Sequence, residues 1–91
     1  MYNAILIKAK KLLEENRLLE LVQFAKYQLD LDDDQVELWK IYGVALGNLG
    51  HVIMAKKAFF CALKHDPLDG IAAGHYVAAC FQDGDAGSGV T

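Results

Sequence analysis

The sequence predicts an all-α fold of five helices, arranged as about two and a half copies of one helix-turn-helix unit. Three observations carry this. Shifted by 34 residues, the chain aligns with itself: Ala9 meets Gly43 and Val77, Leu12 meets Leu46 and Cys80, and Asn16 meets Gly50 and Gly84. The same shift lays Leu18, Leu21, Ala25, Leu29 and Asp32 on Val52, Ala55, Phe59, Leu63 and Asp66. Helix-ending residues, Gly50 and Pro67, fall between the apolar segments, and no segment suggests a strand.

The helices are expected at about residues 3–15, 18–29, 35–48, 51–64 and 69–82. The repeats span about 2–35, 36–69 and a half unit at 70–84, within one domain of residues 1–82. Ile5, Ala9 and Leu12 mark the seam of the first helix, and Leu18, Leu21, Ala25 and Leu29 that of the second. Asp34, followed three residues later by Glu37, reads as the N-terminus of the third helix with capping-box character. Gly43 and Ala55 are small where two antiparallel helices must approach, and so admit Trp39, Leu46 and Phe59 into one interdigitated layer. Gly50 suits a left-handed helix end. Pro67 cannot continue a helix and restricts Asp66 before it. The tail, residues 83–91, is glycine-rich and polar, and disorder is expected there.

The middle unit runs Trp39, Tyr42-Gly43, Leu46, Gly50, Val52, Ala55, Phe59, Ala62-Leu63 and Asp66-Pro67. It resembles the tetratricopeptide repeat (TPR), whose period is also 34 residues. Leu46 and Val52 stand where that family often has an aromatic. The first unit is degenerate: Ile5 replaces the tryptophan, Lys8-Ala9 the Leu-Gly pair, Leu21 the small alanine and Asp33 the proline. The resemblance implies a TPR helix-turn-helix solenoid that binds protein and catalyses nothing.

Composition bounds the function. At 91 residues the chain holds one thin core, since surface scaling leaves about 5,200 Å² exposed of roughly 14,500 Å² in the unfolded chain. Yet 54% of the residues are apolar, an excess that must lie exposed or face a partner. The net charge of -3 lacks the basic footprint of a nucleic-acid binder. The longest uncharged stretch, 41–55, contains Asn48, His51 and three glycines and falls short of a bilayer span, so no membrane insertion is expected and a cytoplasmic protein is.

Residues with chemical potential form no recognisable constellation. Asp30, Asp32, Asp33 and Asp34 have the spacing that begins a calcium loop, but Gln35 stands where glycine is needed and Ile41 where the bidentate glutamate belongs. A solvated turn before a helix is the expectation. His51, His65 and His75 are scattered, the one serine, Ser88, is in the tail, and Cys61 and Cys80 lack zinc spacing and are expected as buried thiols. No catalytic residue, metal or cofactor is assigned. Lys8, Lys10, Lys11, Lys26 and Lys40 read as solvated helix faces.

In the TPR family the first helix of each repeat lines the concave face. Carried onto this sequence, the resemblance places Leu6, Ile7, Lys10 and Leu13, then Ile41, Val44 and Asn48, then His75, Ala78 and Phe81 on that face. It lacks the lysine, arginine and asparagine set with which some TPR adaptors clamp a peptide carboxylate: Leu6 and Lys10 replace a lysine and an asparagine, and His75 replaces an arginine. What remains is an apolar trough edged by Lys10, Lys40, Asn48 and His75, suited to the apolar side of an amphipathic helix. The last helix carries no charged residue at all, whereas solenoids normally end in a polar outer face. Something must cover it: a client, a second small helical protein, another copy, or further repeats.

Small TPR proteins with a greasy inner face resemble, as a type, the chaperones of bacterial type III secretion needle subunits. That resemblance implies a chaperone that sequesters the amphipathic helix of a small client, within a complex that includes a second small helical protein. The alternative is a scaffold that self-associates through Tyr76, Val77 and Phe81, or a fragment of a longer peptide-binding array.

Overall fold

The computed structural model describes residues 2–82, so the expected tail lies outside the described residues. Five α-helices follow in order: α1 Tyr2–Glu14, α2 Leu18–Leu31, α3 Val36–Asn48, α4 Val52–His65 and α5 Gly70–Gln82. Each odd helix begins 34 residues after the previous odd one, and α4 begins 34 after α2. Among the described residues there is no strand.

The turns repeat at the level of single hydrogen bonds. Between α1 and α2, the Arg17 N–H donates to Leu12 O at 2.9 Å and the Asn16 N–H to Leu13 O at 3.0 Å. One period later His51 N–H donates to Leu46 O at 2.8 Å and Gly50 N–H to Gly47 O at 3.0 Å. This six-to-one closure needs a left-handed residue, and Asn16 (φ 60°) and Gly50 (φ 88°) supply it. Asparagine is among the few side chains that tolerate that region, which is why the degenerate first unit turns as the second does.

The α2–α3 turn departs from the expected capping box. Gln35, not Asp34, is the residue flanking α3, and no side chain caps it. Glu37 reaches forward to Lys40 instead. The Gln35 side chain is buried and faces backwards, its Nε2 donating to Asp32 O at 2.8 Å and Gln28 O at 3.4 Å, so it satisfies carbonyls at the end of α2. Trp39 Nε1 donates to Asp33 O at 2.8 Å, and the Asp34 N–H to Asp32 Oδ1 at 3.1 Å. At the α4–α5 turn, Asp66 leaves the helical conformation ahead of Pro67, and Asp69 Oδ1 accepts from the N–H groups of Ile71 and Ala72, both at 3.0 Å.

Sequential helices pack side by side, and the odd helices also touch in series, α1 against α3 and α3 against α5. Among the described residues α2 and α4 make no such contact. The core runs along this stack, with Leu21, Leu38 and Leu46 fully enclosed. Its tightest point is the α3–α4 crossing. A Cβ placed on Gly43 would lie 2.6 Å from the Phe59 ring, so the ring occupies the space a side chain would need. Phe59 also stacks on His75 of α5, centroids 4.9 Å apart and planes 12° from parallel. One ring therefore joins α3, α4 and α5.

Cys61 and Cys80 are half-buried rather than enclosed. No following helix, among the described residues, covers Cys80, and Cys61 borders an open hollow between α2 and α4.

Gly43→Ala is expected to destabilise the fold by about 1–3 kcal/mol through overpacking, read as a lower urea midpoint with an unchanged m-value. Phe59→Leu in the same chain should recover part of that loss, because the two positions share one space. Additive losses would show that the ring does not depend on the missing side chain.

Candidate functional site

The odd helices present the face on which the sequence placed its ten contact residues. Four of them come together. Val44 and Asn48 of α3 and His75 and Ala78 of α5 border one cleft of about 160 Å³, with Phe59 and Ala55 of α4 showing at its base. Helical spacing puts Val44 and Asn48 one turn apart on α3, and His75 and Ala78 one turn apart on α5. Gly47 adds no side chain between them, and the cleft stays open. Its lining is apolar apart from the Asn48 amide and the His75 ring, and it carries no acid, lysine or arginine.

The other six lie elsewhere. Ile7 and Lys10 are exposed on α1, around a shallow hollow shared with Lys11, Glu14 and Glu15. Leu6 and Leu13 are half-buried and pack against the core. Ile41 is 8% exposed and belongs to the core itself. Phe81 stands out from the end of α5, 68% exposed. Nine of the ten thus fall into a cleft, a separate α1 surface and one projecting ring rather than a continuous trough, and Ile41 lies in the core.

Lys40 corrects the sequence reading most sharply. Expected on a solvated edge, it is 8% exposed, and its ammonium donates to Asp69 Oδ2 at 2.8 Å and pairs with Glu37 Oε2 at 2.8 Å. Desolvation opposes the charge, but the hydrogen bonds to Asp69 and Glu37 outweigh it and hold the ammonium pKa above its ordinary value. The Lys40 hydrogen bond, followed by that from the Ala72 N–H, holds the Asp69 carboxyl below its usual range. Because Asp69 also caps α5, this pair ties the first half of α3 to the start of α5.

Several other polar groups pair with neighbouring side chains. His65 Nδ1 lies 3.5 Å from Asp34 Oδ1, Lys26 pairs with Asp30 at 3.6 Å, and the Lys8 ammonium sits 4.7 Å over the Phe24 ring. Arg17 pairs with Glu15 and Glu20 on the surface. Among the described residues no group of three His, Cys, Asp or Glu is placed to hold a metal, and no helix is long and apolar enough to cross a membrane.

Sequence reasoning missed a second hollow, about 270 Å³, where α2 and α4 diverge over Trp39 and Tyr42 of α3, bordered by Lys26, Met54 and Lys57. Burial there pushes the Tyr42 hydroxyl pKa up. Its signal was the repeat itself, which brings the odd helices together and leaves the even ones apart. Comparison with family models, curated proteins and solved structures finds no match for this chain.

The Lys40–Asp69 link has a defined pH window. Asp69, with a depressed pKa, contributes fully above the unfolded-chain value of about 3.9, and its contribution is lost as pH falls through the lower folded value. Lys40, with a raised pKa, contributes fully below about 10.4, and its contribution is lost as pH rises through the higher folded value. Melting temperatures at neutral pH should rank native above Asp69→Asn, which keeps a capping oxygen, and that above Asp69→Ala. The first gap should close as pH falls below the lowered folded value of Asp69. Identical melting of native and Asp69→Asn at neutral pH would show that the charge pair stabilises nothing.

Proposed function

We propose that this chain is a protein-binding TPR-type solenoid of two and a half repeats, acting as a chaperone that sequesters an amphipathic helix of a small client. The observation that carries the reading is the α3–α5 cleft, whose base is an aromatic ring and an alanine, whose walls are Val44 and Ala78, and whose rim is Asn48 and His75. At about 160 Å³ it is smaller than the roughly 300–1,000 Å³ of ordinary small-molecule sites, and suits one apolar side chain presented by a larger partner. Its uncharged lining favours a buried apolar anchor over a carboxylate or phosphate. Phe81, exposed further along α5, would meet a second anchor of the same client.

The TPR assignment is supported by the 34-residue spacing of helices and turn hydrogen bonds and by the small-against-large contact of Gly43 with Phe59. Binding of this kind works by subtraction: a client that polymerises through an apolar helix face cannot do so while that face is buried. The client class implied is a small, self-assembling helical subunit, such as a type III secretion needle protein, held in the cytoplasm in a complex with a second small helical protein. Catalysis forms no part of the proposal.

The test is an NMR titration with a stapled amphipathic helical peptide bearing leucines at i, i+3 and i+7. Amide signals of Val44, Asn48, His75 and Ala78 are expected to move together, and Val44→Asp or Phe81→Asp to weaken binding at least tenfold with helicity unchanged by circular dichroism. Undiminished affinity in both variants would remove the cleft as the client site.

A further inference from the structure

We infer that the hollow between α2 and α4 binds a small aromatic carboxylate, its ring laid on Trp39 and Tyr42 and its carboxylate taken by the Tyr42 hydroxyl and the Lys57 ammonium. The hollow is bordered by α2, α3 and α4, shares no lining residue with the α3–α5 cleft except Ala58's neighbouring helix turn, and does not depend on what binds there.

Tyr42 supplies the unsatisfied group. The residue is 8% exposed, yet among the described residues nothing hydrogen-bonds its hydroxyl. The oxygen is not sealed in, because the buried side-chain atom left both enclosed and unpaired among the described residues is Gln35 Oε1. It therefore opens on the hollow that Tyr42 lines, on the side where the charges of Lys26 and Asp30 act on it. A hydroxyl withdrawn from water without a protein partner is costly, and a bound acceptor offsets that cost.

The lining suits a ring better than an alkyl chain. Trp39 and Tyr42 hold their rings 6.0 Å apart and tilted by 57°, a pairing to which a third ring adds edge-to-face or offset. Met54 and Cys61 bring sulfur atoms to the same hollow, and sulfur makes favourable contacts at ring edges. The Trp39 Nε1–H already donates to Asp33 O, so the indole offers its apolar surface. Charge at the rim is positive, with Lys26 and Lys57 against Asp30. Asp30 lies 3.6 Å from Lys26, whereas no acid among the described residues pairs with Lys57. The Lys57 ammonium rides on a flexible four-carbon stem and can follow a carboxylate bound at the hydroxyl.

At about 270 Å³ the hollow approaches the roughly 300–1,000 Å³ of ordinary small-molecule sites, and holds a ring with a short acid arm rather than a helix. A segment of this chain is a poor occupant. Residues 83–91 contain no aromatic residue, and a helix continuing the 34-residue pattern would lie on α5, as α4 lies on α3, rather than over Trp39 and Tyr42.

The probes are phenylpropionate, phenylpropanamide, which lacks the charge, and cyclohexylpropionate, which lacks the ring, each titrated into the full chain and followed by NMR. Phenylpropionate at millimolar concentration is expected to move the indole N–H of Trp39 and the amide signals of Tyr42, Ala58 and Cys61, but not those of Val44 and His75. It should bind at least fivefold more tightly than either analogue. Lys57→Glu should bring the carboxylate down to the affinity of the amide without changing the amide's own binding, a readout that loss of folding cannot mimic. Tyr42→Phe should weaken the carboxylate at least threefold with helicity unchanged. Unmoved signals at Trp39 and Tyr42, an analogue that binds as tightly, or a Lys57→Glu variant that loses both ligands equally would overturn the inference. So would tighter binding of acetyl-Asp-Phe-amide than of phenylpropionate, since the hollow would then belong to a protein partner.

Discussion

The Phe59 ring in the space left by the absent Gly43 side chain is the contact on which the rest of the structure depends. Burying a phenylalanine contributes about 1.5–3 kcal/mol wherever it happens, but hydrophobic burial alone does not fix a geometry. What fixes it is the missing Cβ, which lets the ring lie against the backbone of α3 and so sets how α3 and α4 cross. The same ring stacks on His75, and α5 is tied to the stack there at one point and by the Lys40–Asp69 pair at another. The cleft between α3 and α5 is therefore a product of the core, with the ring as its base.

Two units share one local geometry although they share few side chains. Asn16 replaces Gly50 at a left-handed turn, and Ala9 replaces Gly43 at the seam, each by a residue that meets the same physical requirement. Requirements of this kind recur with the period, whereas the large residues vary to fill whatever space the small ones leave. The stack is asymmetric as a result. α3 touches four other helices, while α5 touches only α3 and α4 among the described residues and keeps an apolar face open.

Much of this was legible in sequence, for a stated reason: the 34-residue self-alignment fixes helix number and order, and Gly50 and Pro67 fix where helices stop. Helix limits fell within about two residues of the structure because turn chemistry is local. The small-against-large pairing of Gly43 with Phe59 was legible too, since only small residues permit close approach. What escaped were the long-range pairings. Lys40 looked like a solvated charge because its partner Asp69 lies 29 residues away, at the cap of another helix. Asp34 and Glu37 looked like a capping box, but the buried Gln35 between them binds the carbonyls ending α2 and leaves Glu37 to Lys40. Ile41 was placed on the lining by the family resemblance, whereas it is 8% exposed and belongs to the core.

Amide hydrogen exchange on the chain alone tests the account most directly, because it measures how stability is distributed along the stack. Slowest exchange is predicted in α3 and α4, around Leu46 and Phe59, with α2 next and α5 exchanging fastest along Val77 to Phe81, where nothing among the described residues covers it. Uniform protection across all five helices, or an α5 as slow as α3, would contradict the claim that this molecule is a repeat stack held at one crossing and left open at one edge.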